Sequence, residues 1–163
     1  MDFVSAEWAL GGIIGILCLF VLYFAFGKEH YPYSARRTLL TKTELSFYKH
    51  LRDICAHSFP DIGIAMQVRL GDIITCSEAD WHKGYGPKIS AKHIDFVLFN
   101  LHTTEVCLCI ELDDSSHEKA DRKRRDVFIN NALKAAGVPL FRVPIKKMAD
   151  RQFLHRNLTE FIL

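Results

Sequence analysis

Few features of this sequence are extreme, and each shortage removes a class of answers. With 21 Lys+Arg against 19 Asp+Glu, the formal net charge is only +2. Bulk electrostatics is too weak to recruit nucleic acid, so any basic surface has to come from local clustering. Five prolines and nine glycines in 163 residues are too few for a collagen-like or low-complexity chain. There is no glycine-rich phosphate loop, and no cysteine has the signature of a nucleophile. Cys18, Cys55, Cys76, Cys107 and Cys109 lack the spacing of a disulfide scaffold and read as reduced thiols. A length of 163 residues accommodates one compact domain with one anchor, but not two enzymatic domains.

Charge is missing altogether from Trp8 to Gly27. A helix of that length covers roughly 30 Å of hydrocarbon at about 1.5 Å per residue. The expectation is an N-terminal anchor over 1–27 with its transmembrane span at 8–27, a juxtamembrane linker over 28–38 and a domain over 39–163. Asp2 and Glu7 stand on one flank, and Lys28, Arg36, Arg37 and Lys42 on the other. The positive-inside rule then puts the N-terminus outside and the domain on the cytoplasmic side of the inner (plasma) membrane. A cleaved signal peptide would want a positive n-region, where this chain has acids. Gly11, Gly12 and Gly15 could bring two such helices together, but small residues are common in these segments.

The remainder reads as an α/β domain. Thr41 or Thr43 can cap a helix carrying Leu45, Tyr48, Leu51, Ile54 and Cys55, which ends before Pro60. Ile64 to Leu70 alternates as a strand, and Ile73 to Ser90, polar and glycine-containing, reads as a loop or flap. His93–Phe99 and Glu105–Leu112 are two strands joined closely enough for an antiparallel hairpin, and the second is apolar on both faces. Ser115 to Glu118 forms a capping box before a helix that stops at Gly137. Val138–Val143 returns as a strand, parallel to its neighbour through the helical crossover, and a final amphipathic helix runs from Lys146 to about Phe161. This order of elements gives a mixed sheet flanked by helices.

Chemistry is most legible in three carboxylates. A strand period of two sets Glu111 and Asp113 on one face, and hairpin pairing sets Asp95 beside them. Buried together they would repel unless a cation neutralised them, and hard oxygen ligands suit Mg²⁺ or Mn²⁺. The plainer alternative is acids exposed at strand ends or paired with the arginine-rich helix. A zinc site from Cys107, Cys109 and His93 is imaginable, but a C-x-C within an apolar strand is more simply two small buried residues.

Four stretches together resemble a known family: Lys92-His-Ile-Asp-Phe-Val-Leu-Phe99, Ile110-Glu-Leu-Asp-Asp-Ser-Ser-His117, Asp121-Arg-Lys-Arg-Arg-Asp126 and Ala136-Gly-Val-Pro-Leu-Phe-Arg142. They look like the domain-of-unknown-function family 2726. That family is similar to the restriction-endonuclease-like PD-(D/E)XK superfamily, near the branch of the very-short-patch-repair endonuclease. The resemblance covers roughly Leu39 to Val143 and implies an αβββαβ core with a mixed sheet. It further implies a metal-dependent nuclease-like domain hydrolysing DNA, with RNA as the second substrate.

Carried onto this chain, Asp95 matches the first acidic position of the superfamily and Glu111 the second, both metal ligands in its active members. Asp113 stands where most of the superfamily has lysine, and Glu44 lies where the first helix often offers another acid. Read alone, Glu44 is a favourable charge at a helix N-terminus. Another cation would then replace the lysine, with Lys92 as first choice and His117 and Lys119 in reserve. His117 could move a proton near neutral pH, although a histidine at a helix start is more often a capping or solvated residue. Lys119, Arg122, Lys123 and Arg125 on the helix, with Lys83 and Lys88 from the flap, could grip phosphates, or could simply be solvated helix partners of Asp121 and Asp126. Trp81 and Tyr85 could stack on a base or dock into the domain. The competing function is a catalytically silent nuclease fold that binds nucleic acid or a protein partner at the membrane.

Overall fold

The computed structural model describes residues 3–26, 30–113 and 120–162, the side chains of 3–10, 25, 26 and 120–122 excepted. The chain divides into two units, Met1–Arg36 and Arg37–Leu163.

The first unit holds helix α1, Phe3–Phe26. Its described side chains run from Gly11 to Phe24, and the large apolar ones are 49% exposed at Leu22 rising to 74% at Tyr23. Among the described residues no helix is long and apolar enough to cross a membrane. The expected span at 8–27 therefore has no support among the described residues.

The second unit begins its regular structure with α2, Lys42–Ser58, and the cap is Thr41. Thr41 Oγ1 accepts the Glu44 backbone N–H at 3.3 Å, and Glu44 Oε2 accepts the Thr41 backbone N–H at 2.7 Å. Two otherwise orphaned donors are thereby satisfied, which is what fixes the start of the helix. Four strands follow in a sheet ordered β1-β2-β3-β4. They are β1 (Ile62–Arg69), β2 (His93–Asn100), β3 (Val106–Asp113) and β4 (Leu140–Pro144). β1, β2 and β3 form an antiparallel meander, and β4 pairs parallel to β3 after the crossover helix α5, Ala120–Ala135. The last helix, α6, occupies Arg151–Ile162, preceded by a 3-10 turn at Ile145–Lys147 where the sequence suggested helix from Lys146.

The segment Ile73–Ser90 differs from the expected loop. It contains α3, Glu78–His82, and α4, Tyr85–Ser90. Ser77 caps the first by accepting the Asp80 N–H, and Gly84, at φ +92°, turns the chain into the second. Gly86 lies so close to the Trp81 ring that a Cβ there would collide with it. The capping box expected at Ser115–Glu118 lies outside the described residues.

Two apolar layers sandwich the sheet. On one face Phe47, Leu51 and Ile54 of α2 and Leu154 and Leu158 of α6 pack on Phe96, Leu98, Leu108, Ile110, Phe141 and Val143. On the other, Ile129 and Leu133 of α5 and Ile89 of α4 pack on Leu70, Ile94, Val97 and Cys109. The central strand β3 is covered on both sides, in keeping with its apolar run.

Candidate metal and phosphodiester site

Register builds the site. β2 and β3 pair Phe96 with Ile110, so one further step carries Asp95 opposite Glu111. β3 and β4 pair Glu111 with Arg142 directly. Past Ile110 the backbone of β3 turns its N–H groups to a side chain: Leu112 N–H donates to Asp95 Oδ2 at 2.9 Å. Asp95 is thus held beside Glu111 by main chain and not by a rotamer alone.

These residues line a cavity of about 390 Å³ between the ends of α2, β3, α5 and β4. Its wall carries five carboxylates, Glu44, Asp95, Glu111, Asp113 and Asp126, against two guanidiniums, Arg125 and Arg142. Glu111 is only 3% exposed. Arg125 and Arg142 each approach it at 3.7 Å, one on each oxygen, too far for a hydrogen bond. Its Oε1 has no hydrogen-bond partner among the described residues. Burial, then the neighbouring Asp95, push the Glu111 carboxyl up to about 7 against the partial relief of Arg125 and Arg142. Burial also raises Asp95, opposed by the Leu112 N–H. With both acids ionised, such a charge arrangement costs free energy, which a proton on Glu111 or a bound cation would relieve.

A search of the family models finds one that covers residues 36–161, described as Protein of unknown function (DUF2726). The chain belongs to this family. No curated protein and no solved structure matches it. The DUF2726 match embraces every residue that lines the cavity.

The tight triad that strand period and hairpin pairing suggest is not seen among the described residues. Among the described residues no three His, Cys, Asp or Glu side chains are grouped to hold a metal ion. Asp95 and Glu111 face one another, while Asp113 is exposed at the end of β3 and Glu44 caps α2, both still on the cavity wall. Two carboxylates nonetheless suit Mg²⁺, which retains waters and takes further oxygens from a substrate phosphate.

Lys92 is not on the wall of this cavity. Its ammonium donates to the Lys88 carbonyl at 3.0 Å and stands 4.5 Å over the Phe128 ring. The flap cations are also engaged, Lys83 with Asp80 at 3.0 Å and Lys88 over Tyr85 at 5.0 Å. Lys123 is exposed and is not on the cavity wall. His117 and Lys119 lie outside the described residues, as does the Arg122 side chain. The described cations of the site are Arg125 and Arg142. Arg142 also reaches Asn130 at 3.0 Å and Asp126 at 3.4 Å, which fixes its plane. The Glu111–Arg142 contact joins strands that are distant in sequence, and only the parallel pairing of β3 with β4 could have exposed it.

Proposed function

We propose that this chain is a metal-dependent phosphodiesterase with a restriction-endonuclease-like core, acting on DNA or RNA, and carried at a membrane by α1. The buried, under-compensated Glu111 beside Asp95, in a cavity with more acids than cations, is the observation that supports it. Asp95 and Glu111 would hold Mg²⁺ or Mn²⁺. Bound there, the ion would neutralise a phosphate and lower the pKa of an attacking water. Arg142, held by Asn130 and Asp126, and the more exposed Arg125, in place of the lysine absent at Asp113, would offer donors to charge that develops on the phosphate oxygens. Asp113, exposed on the cavity wall, would orient the water. Support for the anchor comes from the uncharged run Trp8–Gly27 and from the exposed apolar surface of α1, which in water has an unfavourable transfer free energy.

The test is a pair of measurements on wild type and Glu111→Gln. Mn²⁺ should raise the melting temperature of the wild type and leave that of Glu111→Gln unchanged. Mn²⁺-dependent cleavage of plasmid or single-stranded DNA should fall at least a hundredfold in the variant, as expected when one charge-stabilising group is lost. Equal Mn²⁺ shifts would remove Glu111 as a ligand. Asp113 at the usual lysine position favours the second reading, a silent binding module, and binding without cleavage by the wild type would select it.

A further inference from the structure

A glutamine stands where the sheet changes phase. Gln67 has φ +53°, the left-handed region that a side chain enters only at a conformational cost. The ladder between β1 and β2 runs from Ile62↔Asn100 to Arg69↔His93 but omits Gln67 and Asp95, which its register sets opposite each other. On one side of this gap Ile64, Met66 and Phe96 belong to the α2 and α6 layer, and Ala65 and Val97 to the α5 layer. On the other side Val68 and Ile94 belong to the α5 layer. Inward–outward alternation therefore slips by one residue on both strands at this point. A glycine would make the same bend without penalty. With glutamine there instead, a carboxamide is kept at the break.

Gln67 lines a second cavity of about 320 Å³, with Lys92 and His93, which shares Glu44, Asp95 and Arg125 with the first. The two are adjoining chambers that share two carboxylates and a guanidinium. A strand whose scissile phosphate lies at Asp95 and Glu111 would continue into the chamber that carries Gln67 and Arg125. Its next phosphate needs donors there. A lysine at position 67 would pair with Asp95 and compete with a metal ion for it, whereas an amide N–H contacts a phosphate oxygen and leaves the charge of Asp95 available.

We infer that Gln67 is a substrate-binding residue whose carboxamide donates to a non-bridging oxygen of the phosphodiester adjacent to the scissile one. This rests on the phosphodiesterase reading above. The alternative role for Gln67 is purely conformational, bending β1 so that Asp95 reaches the site.

Binding of a labelled single-stranded DNA oligonucleotide to the full-length chain, with Ca²⁺ replacing Mn²⁺ to slow turnover, separates the two. Gln67→Gly keeps the bend and deletes the carboxamide, while Gln67→Asn tolerates the left-handed backbone and shortens the reach. Both should bind the oligonucleotide about tenfold more weakly, the size of one hydrogen bond to a charged group. Both should keep the wild-type Mn²⁺ thermal shift, and Gln67→Gly should melt no lower than wild type. Wild-type affinity in either variant overturns the assignment. Loss of the Mn²⁺ shift in both also overturns it, because Gln67 would then act through Asp95. A wild type that shows the Mn²⁺ shift but no oligonucleotide binding overturns this inference alone. One that shows neither overturns the phosphodiesterase reading with it.

Discussion

Glu111 concentrates the electrostatics of the molecule in one side chain. Its carboxyl is raised from 4.5 to about 7, first by burial and then by Asp95. The folded state thus holds this proton more tightly than the unfolded chain does. The stability it confers is full below about pH 4.5 and is withdrawn as pH rises through about 7. The metal-free chain should therefore lose stability across that window, by on the order of 3 kcal/mol, and the upward shift of Asp95 acts in the same direction. Melting curves of wild type and Glu111→Gln as a function of pH check it: the difference between them should close toward acid and open toward alkali, with the variant more stable at pH 8. Because a divalent ion competes with the proton, the Mn²⁺ shift should grow over the same range. A pH-independent difference would contradict the burial of this charge. At this scale much was legible. Asp95 and Glu111 follow from strand period and hairpin pairing, whereas Arg142 did not, because its partner is set by a parallel register that no local pattern encodes.

Secondary-structure elements divide by length in how far their sequence announces them. The long helices α2 and α5, the hairpin strands and the return strand are visible as periodic apolar runs, with boundaries shifted by a residue or two. α3 and α4 are not, because segments of five and six residues hold too little period to register, and glycine and polar residues mask them. What holds them is contact: Trp81 packs on Gly86, and Ile89 is buried under α5. Gly86→Ala should push Trp81 off its seat and destabilise the domain by about 1–3 kcal/mol, the usual range for overpacking. Urea titration followed by Trp fluorescence measures it, and an unchanged midpoint would show that the Trp81–Gly86 contact contributes nothing to stability. β1 carries a second kind of invisibility. Ile64-Ala-Met-Gln-Val-Arg-Leu70 alternates evenly as a sequence, and the slip at Gln67 shows only when both layers of the core are seen.

At the scale of the whole molecule, α1 and the α/β domain fall into separate units, and the proposed anchoring of the first sets the compartment of the second. Acids before the uncharged run and bases after it give an N-out, C-in expectation. A reporter active only in the cytoplasm, fused after Leu163, should give signal, and a reporter active only outside should give none; the reverse result would invert the topology. The sheet order has a consequence for how the site comes into being. β2 and β3 are a hairpin of near neighbours, and β4 joins only after the long α5 crossover is closed. Asp95 and Glu111 are brought together by the early, local pairing, while Arg125 and Arg142 arrive with the late, distant one. Assembly therefore favours a route in which repulsion accumulates first and compensation follows. The docking of α5 and β4 is then the step that brings two guanidiniums to a pair of carboxylates already side by side, and its electrostatic drive is greatest where both acids are ionised.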